Sequence, residues 1–125
     1  MKEVIFVGLG GFLGSISRYG VGLYAMKYFS GYFPVGTFIV NLTGSLLIGL
    51  LAGYFFKNQP SQILYLFLVT GFCGGYTTFS TFSLDNLRLL KEELYMQFAI
   101  YGFGSLIAGL LLCALGFWIT YKYLS

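Results

Sequence analysis

The chain has 125 residues, of which 58% are hydrophobic and only 9% charged, with a formal net charge of +3 and no histidine. That balance excludes an ordinary soluble domain, in which about 25% of residues are charged, and leaves too few cations for a nucleic-acid surface. Acids occur only at Glu3, Asp85, Glu92 and Glu93, so a histidine–carboxylate metal centre or an acid–base enzyme is hard to assemble.

Uncharged stretches cover residues 4–17, 28–56, 58–84 and 94–121. A spanning helix needs about 20 mostly apolar residues. Three stretches meet that length directly, and the first does so by continuing past Arg18 to about Met26. The pattern predicts an all-α membrane protein, a single transmembrane domain over 1–125, with four helices at about 4–28, 36–56, 62–90 and 94–123. Lys2 followed by an apolar run is how a signal peptide begins, but no small-residue cleavage site follows.

In the first span, Gly10 and Gly14 form a small-xxx-small face suited to close helix packing. Arg18 is the only charge well inside it. A charge at mid-helix costs about 2.5–3.5 kcal/mol on insertion scales and usually faces a water-filled vestibule; snorkelling to the headgroups is the alternative. Pro34 marks the first loop. In the second span, Thr37, Asn41, Gly44 and Ser45 share a face by their spacing, and Ser45, Gly49 and Gly53 continue a small-residue stripe. The Asn41 amide suits either an interhelical hydrogen bond of about 1 kcal/mol or a donor on an anion path.

Pro60 marks the second loop, and the third span contains Gly71–Ser83, GFCGGYTTFSTFS. So many glycines and hydroxyls make a poor transmembrane helix, and a break in helix three is expected. Non-helical backbone at membrane depth is tolerated only where it is buried in protein or lines a cavity, and broken helices hold ion sites in transporters. Carbonyls freed by a break suit a hard cation such as Na⁺. Phe79 and Phe82 are three apart and face the same way from a helix, and an aromatic ring has a positive edge that an anion can approach. Glu92 and Glu93 mark the third turn, and the fourth span carries Ser105 and Gly109 at a packing interval. Cys73 and Cys113 both lie within spans, which is not a disulfide framework.

With four spans, Lys2, Lys57 and Lys122 fall on one side and Lys27, Arg88 and Lys91 on the other. The positive-inside rule then gives no clear orientation, leaving both a weakly biased single topology and an antiparallel pair of oppositely inserted copies.

The Gly71–Ser83 run resembles the signature of the Fluc/CrcB family of small fluoride channels. Gly36-Thr37-Phe38-Ile39-Val40-Asn41 followed by Gly44-Ser45 resembles the family's second-helix pattern, and Gly10-Gly11-Phe12-Leu13-Gly14 through Arg18-Tyr19 its first-helix start. The resemblance implies an antiparallel, dual-topology homodimer, multi-pass in the inner (plasma) membrane, whose partners are fluoride, a second copy and the lipid bilayer. It implies that the ring edges of Phe79 and Phe82 line a fluoride pathway with Asn41 and Arg18, and that Ser80, Thr81, Tyr101 and Ser105 continue a polar track. It further implies a structural Na⁺ at the dimer axis, on the main-chain carbonyls of Gly74 and Thr77 from both subunits. Asp85 stands where family members often carry glutamate, Gly109 where some carry serine, and Tyr76 where leucine is commoner. The implied function is passive export of cytoplasmic F⁻, which lowers its toxicity, with no enzymatic step. A small four-helix multidrug exporter needs an acid within helix one, where this chain has only Glu3 at the tip. A non-transport assembly subunit would explain the glycines but not Asn41 beside two phenylalanines and a broken helix.

Overall fold

The computed structural model describes residues 1–124, and among them every regular element is helical. Helix α1 (Lys2–Tyr28) runs without interruption and stops where Phe29 turns extended. Gly31, at φ 108°, supplies the left-handed residue of the first loop. Pro34 then caps α2 (Val35–Asn58), which ends on a left-handed Gln59. Helix α3 covers residues 62–76: one α-helical turn at Gln62–Tyr65, started by the Ser61 hydroxyl accepting from Leu64 N, a π-helical stretch at Leu66–Cys73, and a last turn at Gly74–Tyr76. Helical dihedrals are then lost for two residues, Thr77 (φ −85°, ψ 160°) and Thr78 (φ −150°, ψ 127°). Helix α4 (Phe79–Lys91) resumes on the far side, and after a turn through left-handed Glu93, α5 (Tyr95–Ile119) leads into a π-helical tail at Thr120–Leu124.

Four segments, Lys2–Tyr28, Val35–Asn58, Gln62–Lys91 and Tyr95–Leu124, are long and apolar enough to cross a membrane. Glycines set how closely they pack. On the α1–α3 seam, a Cβ at Gly75 would lie 2.6 Å from Gly11 O and one at Gly71 would lie 2.8 Å from Val7 O, while Gly10 and Gly14 face the backbone of Phe67, Phe72 and Tyr76. On the α2–α5 seam, Gly49 and Gly53 meet Cys113, Phe117 and Thr120, and a Cβ at Gly116 would lie 2.6 Å from Leu46 O. The Thr120 hydroxyl closes this second seam by donating to Leu50 O at 2.8 Å.

These contacts revise one expectation. Gly71, Gly74 and Gly75 were expected to weaken the helix, yet all three lie in helical backbone. Gly71 and Gly75 let α1 approach, and the helical dihedrals are lost at the two threonines that follow.

The buried set is small, with Val40, Cys73, Leu89 and Tyr101 its best-covered members. Many large apolar side chains point outward, including Phe12, Leu110 and Phe79 at 61%, 74% and 79% exposure. That would be untenable in water; acyl chains or another protein surface can cover it.

Candidate functional site at the interrupted third span

Two residues of extended backbone at Thr77–Thr78 create a local problem, because main-chain groups there lose their helical partners and lipid supplies none. Helix α2 resolves most of it. Asn41 Nδ2 donates to Thr78 O at 3.1 Å, and Thr78 N donates to Asn41 Oδ1 at 3.0 Å. One side-chain amide thus takes both hydrogen-bonding groups of a single residue, as a neighbouring strand would. The Thr78 side chain finishes the restart of the helix, its Oγ1 accepting from Thr81 N at 3.2 Å as the N-cap of α4. On the upstream side the Thr77 hydroxyl donates back to Cys73 O at 2.9 Å, and the Tyr76 hydroxyl meets Thr43 Oγ1 at 2.9 Å. Gly44 leaves room for the Thr77 methyl. Arg18 reaches over from α1, its Nε donating to Gly75 O at 3.1 Å.

Two carbonyls follow from this wiring. In a continuing helix Thr78 N would bond Gly74 O and Thr81 N would bond Thr77 O. Both amides are engaged elsewhere, the first by Asn41 and the second by Thr78 Oγ1. Gly74 O and Thr77 O are therefore main-chain acceptors without their helical donors.

Beside the interruption lies a cleft of about 470 Å³. Asn41, Ser45 and Ile48 of α2 form one wall, Cys73, Thr77, Thr78, Phe79 and Phe82 another, and Ser105 and Leu106 of α5 close it. The rings of Phe79 and Phe82 stand 5.9 Å apart and tilted by 38°. Ser105 Oγ is buried and makes no hydrogen bond among the described residues. A mostly apolar cleft holding an amide, several hydroxyls and two aromatic rings suits a small anion stripped of water; it has no charged side chain in its lining.

Tyr101 lies behind Phe82, with ring centroids 5.1 Å apart, and is fully buried. Its hydroxyl donates to Asp85 Oδ2 at 3.0 Å, and the other carboxylate oxygen of Asp85 lies 3.8 Å from Arg88 Nη1. The shorter aspartate thus still has a firm partner.

Of the residues singled out from sequence, Asn41, Thr77, Phe79, Phe82 and Ser105 come together in the cleft. Five do not line it. Gly74 lies in the last turn of α3 and is exposed. Ser80 is exposed and its hydroxyl lies 3.3 Å from Thr78 Oγ1. Thr81 contributes its main-chain N–H to the cap. Tyr101 is separated from the cleft by Phe82, and Arg18 is held on the Gly75 carbonyl. Asn41 also differs from a free donor, because its oxygen and one N–H are committed to Thr78, leaving one N–H. Ser45, Cys73 and Thr78 are lining residues that were not singled out for the pathway. Ser45 was legible as the residue one turn after Asn41, and Cys73 as the residue one turn before Thr77.

Four apolar segments long enough to span a membrane, three of which line an uncharged cleft, define a multi-pass helical membrane protein. Residues 5–117 match the family described as "CrcB-like protein, Camphor Resistance (CrcB)". The chain belongs to this family. It is 46% identical over 112 residues to the "Fluoride-specific ion channel FluC" of Flavobacterium psychrophilum, a match covering 89% of this chain and 90% of that protein. The protein of the same name from Desulfotalea psychrophila is 46% identical over 121 residues, covering 97% and 94%, and that from Azobacteroides pseudotrichonymphae is 39% identical over 121 residues, covering 96% and 97%.

Proposed function

We propose that this protein is a fluoride-selective channel that lets F⁻ cross the membrane passively. The observation that carries the reading is the similarity to fluoride-specific channels over nearly the whole chain. The chemical task is to replace the tight hydration shell of a small anion without holding it too firmly, since conduction needs sites weak enough to leave. The remaining Asn41 N–H, the Ser105 hydroxyl and the ring edges of Phe79 and Phe82 are donors of that grade. HF crosses membranes as a neutral molecule and dissociates at cytoplasmic pH. An inside-negative potential then drives the anion out, by about 2.3 kcal/mol per charge per 100 mV, so export needs no coupled energy source. The membrane in this reading is the inner (plasma) membrane.

The finer reading is an antiparallel homodimer of oppositely inserted copies with a structural Na⁺ between them. The equal split of basic residues between the two ends supports the dual insertion, and the outward apolar surface supports a partner. Gly74 O and Thr77 O fit a hard cation as main-chain oxygens without helical donors. Among the described residues no cluster of three or more His, Cys, Asp or Glu side chains could hold a metal, which fits a site built on main-chain oxygens. Two per chain are few for a hard cation, which takes several oxygens, so a second copy would complete the set. The ion would join the subunits and offset carbonyl charge.

Ion efflux from proteoliposomes tests the channel: F⁻ efflux with negligible Cl⁻ efflux is expected, and no F⁻ flux from well-folded protein would refute it. Phe79→Ile or Phe82→Ile is expected to lower F⁻ flux roughly tenfold, the size of a lost aromatic contact of about 1.5 kcal/mol at the barrier. Unchanged flux would remove that ring from the path. Dimer stability is expected to be greater in Na⁺ than in K⁺ or Li⁺, and indifference to the cation would count against the ion site.

A further inference from the structure

The two ends of the molecule differ in a way that an equal count of basic residues conceals. At one end Lys27, Arg88 and Lys91 are matched in number by Asp85, Glu92 and Glu93, and Arg88 lies against Asp85 at 3.8 Å. At the other end, Lys2, Lys57 and Lys122 face a single acid, Glu3, which pairs with the terminal amino group at 3.3 Å. Among the described residues Lys57 and Lys122 make no ion pair. Both are instead held by rings. Lys57 Nζ lies 5.2 Å from the centroid of Tyr121, whose ring stacks on Phe117 at 5.7 Å. Lys122 Nζ lies 5.0 Å from Trp118 and 5.3 Å from Tyr123.

We propose that the Lys57–Lys122 end is a binding site for the headgroup of an anionic phospholipid. Both lysines sit in the terminal turns of spanning segments, Lys57 at the end of α2 and Lys122 in the tail of α5. Terminal turns lie at headgroup depth, where tryptophan and tyrosine collect. Cation–π contacts hold the ammonium groups in place before any ligand arrives, so little side-chain freedom is lost on binding. Neither lysine makes an ion pair among the described residues, which favours a phosphodiester over a zwitterionic headgroup, whose own cation would be repelled. The exposed ring flanks of Phe56 and Tyr123 can lie along the glycerol and the first acyl carbons. A soluble phosphate has the same charge but none of this apolar contact, so the lipid is the occupant. The headgroup site does not depend on which ion the cleft passes.

The test is lipid co-purification from vesicles of mixed phosphatidylcholine and phosphatidylglycerol. Wild-type protein is expected to carry phosphatidylglycerol in excess of its share of the vesicle. Lys57→Gln with Lys122→Gln should reduce that enrichment by roughly fivefold for each lysine removed. Lys27→Gln, at the balanced end, should leave it intact, and added glycerol phosphate should not displace the lipid. Absence of enrichment, its persistence in the double variant, equal loss in Lys27→Gln, or displacement by glycerol phosphate would each overturn the proposal. Should the double variant aggregate, Lys122→Gln alone changes one exposed side chain and carries the same prediction at half the number of lysines, while Lys122→Arg must retain the enrichment.

Discussion

The two halves of α2 face different neighbours and use different chemistry. Its first half presents Asn41, Thr43 and Gly44 to the interruption, and the contacts there are hydrogen bonds to Thr78 and Tyr76. Its second half presents Gly49 and Gly53 to α5 and its tail, and the contacts there are mainly backbone against backbone, with one hydroxyl, that of Thr120, donating to Leu50 O. Lipid tails give no hydrophobic reward for bringing helices together, so dispersion at short range must do so, and small residues permit it. The second half therefore fixes how near two helices lie. The first half fixes which conformation a neighbouring backbone adopts, something packing alone leaves unspecified.

Substitutions on the two halves should separate these roles. The largest effect is expected at Gly49→Val, which forces new carbons into the Cys113 backbone. It should destabilise the fold by about 1–3 kcal/mol or more, measured as thermal unfolding in detergent; a tolerated valine would mean that the seam is looser than described. Next comes Asn41→Ala, which removes two part-buried hydrogen bonds to the N–H and C=O of Thr78 at a total cost of about 1–2 kcal/mol. It should reduce F⁻ flux while Gly49 variants that still fold retain it. If flux survives in Asn41→Ala protein, the clamp is not needed to shape the path. The smallest effect is expected at Tyr76→Phe, which removes one exposed hydrogen bond to Thr43. A loss of about 0.6 kcal/mol is typical for such interhelical bonds, with flux near wild type. A large loss there would extend the clamp to both sides of the interruption.

The four spans could be read from sequence because charge is costly in hydrocarbon, and the uncharged runs mark them directly. Pro34 and Pro60 lie in loops as expected. The small-residue faces at Gly10–Gly14 and Gly49–Gly53 were also legible, since spacing alone puts them on one side of a helix. What sequence obscured was the division of labour within Gly71–Ser83. Glycine reads equally as a weak helix former and as a close-packing residue, and only the approach of α1 shows that Gly71 and Gly75 serve the second purpose. The partner of Asn41 was equally hidden. The amide's donors and acceptor were countable, but a bond to the main chain of a residue 37 positions away leaves no local signature. The π-helical stretch at Leu66–Cys73 is an ordinary apolar run in composition, with nothing to mark its wider turn.

The Asn41–Thr78 pairing also bears on the order of assembly. A span that enters the bilayer alone has only its own backbone for hydrogen bonding, and an unwound turn would expose groups costing several kcal/mol. Residues 62–91 in isolation are thus expected to be continuous helix, with amide exchange equally slow across Thr77 and Thr78. Opening that turn must wait until the second span has docked. The unwound segment is then a product of tertiary association, acquired after insertion, and fast exchange of the Thr77 and Thr78 amides in residues 62–91 inserted alone in a bilayer would contradict that sequence of events.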